Sequence, residues 1–410
     1  AITAGIGQEK ADDTIPLLND SLPFQTYGAA QIEEGAMKQM QTAMRLPVAV
    51  KGALMPDAHQ GYGLPIGGVL ATRDAIIPYG VGVDIGCRMA LSIFDLPATK
   101  LETDLFALKN IILHHTAFGA GNGFKGQDKT DHPVLDHALF QEINFIKQLK
   151  DKAWEQLGSS GGGNHFVEFG VIYFEENDAE LGINKGSYLA LLTHSGSRGL
   201  GATIANKYTQ IAKEKCKLPY EARQLAYLDM HSEAGMEYWL AMHLAGDYAA
   251  ACHATIHQKI AKALGTEPMA LIENHHNFAW KEMHDGEALI VHRKGATPAG
   301  KDVMGIIPGS MATPGFLVRG KGDAAAIHSA SHGAGRQMSR TFAHKNIDSK
   351  DWHSMLNDAG ITLLGAGKDE APMAYKDIHT VMQAQEDLVT IVATFQPKIV
   401  RMADDGSRED

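Results

Sequence analysis

The sequence predicts an α+β or mixed α/β fold, in which helices surround a central β-sheet core. Three observations predict this class: short apolar segments recur along the chain, an amphipathic helical pattern comes early, and a long helical block interrupts the apolar segments. Several of the apolar segments run directly into turns that contain Gly and His. The fold class therefore places chemically reactive side chains at the ends of strands.

The first predicted element is a helix over residues 29–45, because Ile32, Met37, Met40 and Met44 recur there at helical spacing. Short strands follow it along the chain. We expect them over PVAVKGALM, MALSIFDL, HFVEFGVIYF, SYLALLTH and EALIVHRK.

Residues 203–264 carry helical periodicity almost throughout, with a break near Leu218 and Pro219. We interpret this block as a helical insertion among the strands. A last helix is expected over KDIHTVMQAQEDLV. Because the chain contains no clear repeat or Pro/Ser-rich linker, we predict one domain over residues 1–403, followed by a polar tail over 404–410.

Composition narrows the classes of protein. Apolar residues make up 44% of the chain and charged residues 21%, as in ordinary globular proteins. The three cysteines are odd in number and irregularly spaced, which favours a reducing compartment over a disulfide framework. Since no segment has the pattern of a membrane span or a signal peptide, we expect a cytoplasmic protein. The formal net charge of −11 means that nucleic-acid binding requires a local basic patch.

Five Gly-rich turns and the segment IENHHNF carry side chains that can bind metal or phosphate. These residues are Asp57 and His59; Asp84 and Cys87; Asn164, His165 and Glu168; His194, Ser195, Ser197 and Arg198; His275 and His276; and His332, Arg336 and Arg340. Any single histidine or cysteine among them is more often a packed core residue than a ligand, and the chain has 20 histidines. The repetition of such residues at strand ends favours a site instead.

A thiolate, several imidazoles and a carboxylate suit a transition metal such as Mn, Zn or Fe. The Cys87 thiolate has enough lone pairs to bridge two ions, and residues 195–198 form a candidate anion cradle. No local zinc-finger or HExxH spacing identifies the metal. The residues alone therefore indicate a metal-dependent enzyme with an anion site.

Nine motifs in chain order resemble the RtcB family of RNA-splicing ligases, from about residue 30 to residue 400. They are PDAHQGYGLPIGGV, GVGVDIGCRM, GGGNHFVE, HSGSRGLG, HHNF, RKGAT, IIPGSM, HGAGRQMSR and PMAYKDI. The resemblance implies an enzyme that joins an RNA 3′-phosphate or 2′,3′-cyclic phosphate to a 5′-hydroxyl, with GTP and two Mn²⁺ ions. It implies a histidyl-GMP intermediate and then an RNA-(3′)pp(5′)G intermediate.

The resemblance also implies roles for individual residues. His332 is the expected nucleophile that receives the guanylate. The expected metal ligands are Asp84, Cys87, His165, His194 and His276, with Cys87 bridging two ions. The expected nucleotide-binding residues are Asn164, Phe166, Glu168, Pro308, Ser310, Gly333, Gly335 and Tyr375. The expected contacts to RNA phosphate are Arg198, Lys294 and Arg340.

The chain departs from the family pattern in three places. The family ends shortly after a Lys-Gly pair whose lysine recognises guanine, whereas this chain has Arg401 and Met402 before an acidic tail. Cys252-His253 replaces an Asn-Arg pair, and Ser331 replaces a cysteine. Together with the acidic net charge, these departures suggest a divergent member that acts on a repair or tagged RNA rather than on a tRNA half. The resemblance implies a monomer or weak dimer and leaves open an activating protein.

Two alternatives follow from the same residues. The first is a metal-dependent phosphoesterase or nucleotidyltransferase that keeps His332 but has lost ligation or the use of GTP; the replaced lysine favours it. The second is a catalytically silent RNA-binding or partner-binding protein. A binding module has no need for Cys87 together with three histidines, which argues against the second alternative.

Overall fold

The larger of two main sheets provides the floor on which the candidate site is built. The computed structural model describes residues 13–404. The strands are β1 Gln25–Thr26, β2 Ala49–His59, β3 Ile66–Thr72, β4 Ala75–Ile76, β5 Arg88–Pro97, β6 Phe166–Phe174, β7 Gly186–Ser195, β8 Leu228–Asp229, β9 Ala270–His275, β10 Asn277–His284, β11 Glu287–Lys294, β12 Ala296–Pro298, β13 Met304–Ile307, β14 Gly315–Gly320, β15 Ser329–Ser331, β16 Thr362–Gly365 and β17 Val389–Met402.

Helices cover the sheets from outside. The α-helices are α1 Glu34–Ala43, α2 Pro78–Val81, α3 Lys100–Thr103, α4 Leu105–His115, α5 Leu139–Glu142, α6 Asn144–Lys147, α7 Lys150–Gln156, α8 Arg198–Lys215, α9 Glu233–Leu264, α10 Arg340–Asn346, α11 Ser349–Asp358 and α12 Ile378–Gln383. The 32-residue helix α9 is the longest of them, and its Ser232 N-cap accepts a hydrogen bond from the Gly235 backbone N–H. Its left-handed Gly265 ends the helix.

The larger sheet has the strand order β13-β14-β17-β6-β7-β5-β9, with β16 paired in parallel to β17. The second sheet has the order β1-β2-β3-β11-β10, and two small sheets pair β12 with β15 and β4 with β8. An apolar core lies between the two main sheets, where Ala53 and Val291 of the second sheet share one cluster with Phe316 and Val318 of the larger sheet. The α+β class with a central sheet is confirmed.

Strand alternation gives the larger sheet two different faces. In β7, Leu189 and Leu191 pack in one apolar cluster with Ile256 and Ile260 of α9. Leu192, which alternates with them, faces the other side and lines a cavity. The front face of the sheet therefore carries the cavity, and the back face packs against α9.

The predicted elements agree with the structure best for strands. The strand expected over EALIVHRK is β11 without any change of bounds, and the other four expected strands differ from theirs by a few residues. The helical block of residues 203–264 consists of α8 and α9, separated over residues 216–232 around the predicted break.

Two helix predictions were too long. The first helix starts at Glu34 rather than residue 29, because Gly28 in the left-handed conformation begins a separate 3-10 turn. The last helix ends at Gln383, and the chain then turns into β17. The turn follows because Gln385 is buried and its side-chain oxygen accepts a hydrogen bond from the Ser331 backbone N–H.

Of the predicted polar tail over residues 404–410, Asp404 is described and exposed, and residues 405–410 lie outside the described residues. Of the helices that are described, none combines the length and apolar character needed to cross a membrane.

Candidate metal and nucleotide site

A cavity of about 370 Å³ opens on the front face of the larger sheet. Its floor comes from β5, β6, β7 and β17, and its walls come from the loops before β14 and after β15. The predicted site residues that line it are Cys87, Asn164, Phe166, Glu168, His194, His276, Pro308, Ser310, His332, Gly333, Gly335, Arg340 and Tyr375. Residues from all along the sequence thus meet in one concave surface of a size suited to a small ligand.

Cys87 sits at the end of the turn that leads into β5 and is almost fully buried. Its Sγ atom lies 3.1 Å from His194 Nε2 and 3.4 Å from His165 Nε2. His276 extends the group, because its Nε2 lies 3.2 Å from the Nε2 of His194. One thiol and three imidazole nitrogens therefore converge at the floor of the cavity.

The other ring nitrogens of two of these histidines determine their tautomers. His165 Nδ1 lies 2.6 Å from the Ser160 carbonyl oxygen, and His194 Nδ1 lies 3.1 Å from the Asn164 carbonyl oxygen. A carbonyl only accepts, so in the neutral rings both Nδ1 atoms carry the proton and donate it. The Nε2 lone pairs of His165 and His194 then point towards the Cys87 sulfur, as in metal-ligating histidines.

Asp84 adds a carboxylate to the same group. Its Oδ1 accepts a hydrogen bond from the Ser197 backbone N–H at 2.9 Å, and its Oδ2 lies 3.0 Å from His165 Nε2. Gly196 permits this position, because a Cβ there would lie 2.0 Å from both carboxylate oxygens. Asp84 Oδ2 is buried without a hydrogen bond, and so is His276 Nδ1.

This donor set fits a metal cation. Cys87, His165 and His194 each offer a ligand atom, and these atoms lie within 4.8 Å of one another. Burial, and then the neighbouring His165, lower the pKa of His194 to about 3, so its Nε2 carries a lone pair at neutral pH. Lone pairs that face one another inside a protein repel, and a cation between them removes that repulsion. Soft sulfur with imidazole and carboxylate suits a transition metal.

His332 lies beside this group. Its ring centroid is 5.0 Å from that of His276. The His332 Nδ1 atom lies 2.6 Å from Asp57 Oδ2, which also accepts the His332 backbone N–H at 3.1 Å. Although burial opposes ionisation of Asp57, the nearby His332 and Lys376 lower the pKa of its carboxyl group. An ionised Asp57 therefore accepts the Nδ1 proton and leaves the Nε2 lone pair of His332 free.

A backbone turn carries His332 over Asp57. Gly335 in this turn has φ of 74°, and a Cβ at that position would lie 2.1 Å from the Asp57 carbonyl oxygen. Any residue other than glycine would push the turn away from Asp57. Gly335 therefore allows the contact between His332 and Asp57.

The remaining walls combine apolar surface with a few polar groups. Burial alone raises the pKa of Glu168 well above its usual range, which favours the neutral carboxyl group, and that form can both donate and accept a hydrogen bond. The Tyr375 hydroxyl donates to Glu370, and Ser310 Oγ lies 2.9 Å from Thr313 Oγ1. Phe166 and Met402 supply apolar surface. Such a wall suits the flat, partly polar surface of a nucleobase.

The three residues predicted to contact RNA phosphate differ in their position relative to the cavity. Arg340 lines the cavity but its guanidinium is paired with Asp369 and Glu370. Lys294 is buried, donates to the Tyr62 carbonyl oxygen at 2.6 Å, and has a pKa lowered to about 7 by burial. Arg198 is fully buried and donates to the carbonyls of Gly119 and Asn122, outside the cavity lining.

Sequence reasoning assigned no role to several residues of the site. Asp57 is the main example: it was noted beside glycines, but its contact with His332 spans 275 positions and has no local pattern. Arg336 and Glu370 also line the cavity, next to Tyr375. His59 lines it too, with a pKa lowered to about 4 by burial. The PDAHQG motif was the signal for Asp57 and His59.

The last strand accounts for the departure at the C-terminus. Arg401 points away from the cavity, because its guanidinium donates to the carbonyls of Ile112, Leu113 and Thr116 at the end of α4. Met402, the next residue along β17, lines the cavity instead. The Arg401 side chain thus caps the end of α4 and does not reach the cavity.

Known proteins resemble this chain over nearly its whole length. The family model described as tRNA-splicing ligase RtcB matches residues 39–148 and 137–403. An RNA-splicing ligase RtcB1 of Escherichia coli is 35% identical over 392 residues, covering 89% of this chain and 93% of the relative. A tRNA-splicing ligase RtcB of Nanoarchaeum equitans is 32% identical, covering 93% and 95%.

A third relative, a tRNA-splicing ligase RtcB of Methanococcus maripaludis, is 31% identical and covers 87% of this chain and 88% of its own length. The family match and the shared motifs thus cover the sheet floor, the Cys87 turn and the His332 loop. On this evidence the chain belongs to the RtcB family.

Proposed function

We propose that this protein is an RNA ligase that joins RNA 3′-phosphate or 2′,3′-cyclic phosphate ends to 5′-hydroxyl ends, with GTP and Mn²⁺. The observation that carries the proposal is the position of His332. Its Nδ1 is held by Asp57, and its ring lies 5.0 Å from that of His276, a member of the metal-donor group. The relatives named as RNA-splicing or tRNA-splicing ligases support the reaction class.

His332 acts as the nucleophile in this proposal. A histidine attacks phosphorus through a neutral ring nitrogen, and the Asp57 contact keeps the proton on Nδ1 and the lone pair on Nε2. Attack on the α-phosphorus of GTP forms an N–P bond and releases pyrophosphate. The RNA 3′-phosphate then takes the guanylate from His332, and the 5′-hydroxyl oxygen displaces GMP to form the phosphodiester bond.

Asp84, Cys87, His165, His194 and His276 are the proposed metal ligands. Two Mn²⁺ ions held there, with the Cys87 thiolate between them, would offset phosphate charge and lower the pKa of a hydroxyl. The hydrogen bonds to the Ser160 and Asn164 carbonyls orient His165 and His194 for that role.

The nucleotide is proposed to lie along the wall that includes Phe166, Glu168 and Tyr375. The other proposed contacts are Asn164, Pro308, Ser310, Gly333 and Gly335. A neutral Glu168 can both donate and accept at a base edge, which supports recognition of guanine without the C-terminal lysine.

Arg340 and Lys294 are the proposed contacts to RNA phosphate, since Arg340 faces the cavity and Lys294 lies next to Gly295 in its lining. Arg198 would contact RNA only after its hydrogen bonds to the carbonyl oxygens of Gly119 and Asn122 break. We further propose one catalytic domain over residues 1–403, with residues 203–264 as a helical insertion, acting in the cytoplasm as a monomer or weak dimer.

The test is covalent labelling with α-³²P-GTP in the presence of Mn²⁺. The proposal expects an acid-labile label on the protein, absent from His332→Ala and slowed at least ~100-fold in Asp57→Asn, where the ring tautomer is no longer fixed. His353→Ala, a change at an exposed histidine of α11, is the matched control. No adduct with any nucleotide would exclude this mechanism.

One observation favours a second candidate, a nucleotidyltransferase or phosphoesterase that does not use GTP. Arg401 binds carbonyls at the end of α4, and Met402 contributes an apolar side chain to the cavity lining. Repeating the labelling with α-³²P-ATP separates the candidates. A label from ATP and not from GTP would favour the second candidate, whereas preference for GTP would exclude a loss of guanine specificity.

A further inference from the structure

We propose a second divalent metal site, formed by Glu282, His284 and His328, that is separate from the Cys87 group. These three residues each offer a ligand atom, and the atoms lie within 4.8 Å of one another. Glu282 and His284 lie two positions apart near the end of β10, so both point to the same face of the strand. His328 approaches from the segment before β15, with its ring centroid 5.1 Å from that of His284.

The metal-free protein already holds this group together, because the His284 Nε2–H donates to Glu282, and a bound ion would take the place of that proton. Glu282 Oε2 lies 2.9 Å from His284 Nε2. His284 is buried, whereas Glu282 and His328 are partly exposed, so an ion can enter from solvent. Two imidazoles with one carboxylate are suited to a borderline divalent ion such as Zn²⁺, with water completing the coordination.

The backbone that carries His328 is strained. Ile327 and His328 have φ of 52° and 49°, in the left-handed region that β-branched residues rarely enter. The surrounding structure holds this conformation, since Arg293 donates to the Ile327 carbonyl oxygen at 2.9 Å and the His328 carbonyl accepts the Ala299 N–H at 2.7 Å. Strain of this kind is retained mainly where a side chain must be placed at a functional position.

Arg293 also orients the carboxylate. Its guanidinium forms a two-pronged contact with Glu282, at 2.6 Å to Oε1 and 3.1 Å to Oε2. Hydrogen-bonded partners of this kind commonly hold ligating carboxylates in place. The positive charge of Arg293 opposes a cation, so we expect weaker binding than at the Cys87 group.

The site is also close along the chain to His332, the proposed nucleophile. The segment from His328 runs through β15 directly into His332. A metal ion that ties His328 to β10 would fix the start of that segment. The proposed ion is therefore structural, and no step of the ligation reaction requires it.

The test is titration of the full-length, metal-stripped protein with Co²⁺, followed by optical absorption and dialysis. Co²⁺ takes the ligands of Zn²⁺, and a cobalt–thiolate charge-transfer band reports the Cys87 group alone. His284→Ala and His328→Asn should each lose one molar equivalent of bound Co²⁺ and keep the thiolate band. Asn is chosen at position 328 because it tolerates the left-handed backbone.

Controls make the result decisive. Cys87→Ala should lose the thiolate band and keep the equivalent of Co²⁺ bound by Glu282, His284 and His328, and His353→Ala should match the wild type. The proposal is overturned if His284→Ala and His328→Asn both bind as much Co²⁺ as the wild type. Loss of the thiolate band in both variants would also overturn it, because the two sites would then not be separate.

Discussion

The two faces of the larger sheet carry two groups of buried histidines that differ in their hydrogen bonding. In one group ring nitrogens face one another, and in the other each ring nitrogen has a hydrogen-bond partner. On the front are His165, His194 and His276, here called the convergent histidines. On the back, in α9, are His253 and His257, here called the linked histidines. Neighbouring residues of β7 separate the groups, because Thr193 bonds to both linked histidines while His194 faces the cavity.

The linked histidines form a chain in which every donor has an acceptor. Ser92 Oγ lies 2.7 Å from His257 Nδ1, and His257 Nε2 lies 2.9 Å from Thr193 Oγ1. Thr193 Oγ1 lies 2.7 Å from His253 Nδ1, and His253 Nε2 lies 3.1 Å from the Ser195 carbonyl. One direction of donation satisfies the whole chain and ends at that carbonyl.

Burial lowers the pKa of histidines in both groups: to about 3 for His194 and His257, and well below the usual value for His253 and His276. A lowered pKa therefore does not distinguish a metal ligand from a packed residue. The direction of the lone pairs does distinguish them. At the front, the Nε2 atoms of His165 and His194 face Cys87, and that of His276 faces His194, whereas at the back each lone pair is matched to a donor. This difference separates the two buried groups on the faces of the larger sheet.

The largest effect should come from removing the shared ligand of the convergent group. Cys87→Ala should lose bound Mn²⁺ and reduce RNA joining by at least ~100-fold, because ligand and near-ligand changes cost that much in metal enzymes. Elemental analysis and a ligation assay measure the two effects. Unchanged metal content in Cys87→Ala would show that the convergent group does not hold the ion.

Alanine substitutions at His257 and His194 should have opposite effects on stability and metal content. His257→Ala should lower the free energy of unfolding by ~1–3 kcal/mol, because Ser92 and Thr193 lose a buried partner. It should leave metal content unchanged. His194→Ala should do the reverse: it should lose metal and change the stability of the metal-free protein less than His257→Ala does, since it removes one of the facing lone pairs.

Denaturant unfolding with metal analysis of both variants tests this pair. If His257→Ala lost metal as completely as His194→Ala, the distinction between the two faces would be wrong.

Lowering the pH from about 6.5 to about 3 should destabilise the folded protein through His257, one of the linked histidines. The unfolded chain protonates His257 below about pH 6.5, but burial lowers its pKa in the folded state to about 3. Because the unfolded state binds more protons between these values, this group lowers stability by ~1.4 kcal/mol per pH unit as pH falls. In His257→Gln the fall in stability should be shallower by that amount. Parallel pH profiles for the two proteins would contradict the assignment.

The smallest effect is expected at an exposed histidine. His353 lies on the surface of α11 and its Nδ1 contacts the Ser349 carbonyl oxygen of the same helix. His353→Ala should change the free energy of unfolding by no more than ~0.5 kcal/mol, with metal content and ligation unchanged. A larger change in thermal or denaturant unfolding would mean that exposure is a poor guide in this chain.

The sequence predicted which strand ends carry reactive groups better than it predicted which groups meet. The alternation of β7 is readable from SYLALLTH, and it already places Thr193 and His194 on opposite faces. The sequence does not say which face α9 covers, so His253 and His257 could not be separated from ligands by pattern. The face that α9 covers is determined by packing between residues such as Leu191 and Ile256, which are distant in the chain.

The contacts that the sequence did not predict are long-range and have no periodic signal. Asp57 of β2 meets His332 in the loop after β15, and only the folded chain shows that one aspartate oxygen receives both the ring and the backbone N–H. The direction of Arg401 is similar, because the carbonyls that it binds belong to the end of α4. By contrast, the Cys87 turn was predictable, since its partners lie at ends of strands that the apolar segments define.

The most direct test of the proposed function is RNA joining itself. A 3′-phosphate RNA and a 5′-hydroxyl RNA are incubated with the metal-stripped protein, GTP and added Mn²⁺, and the products are separated on a gel. A joined product should form with the wild type and with His257→Ala, and not with Cys87→Ala or His332→Ala. Joining by His332→Ala, or no joining by the wild type under any of these conditions, would contradict the account.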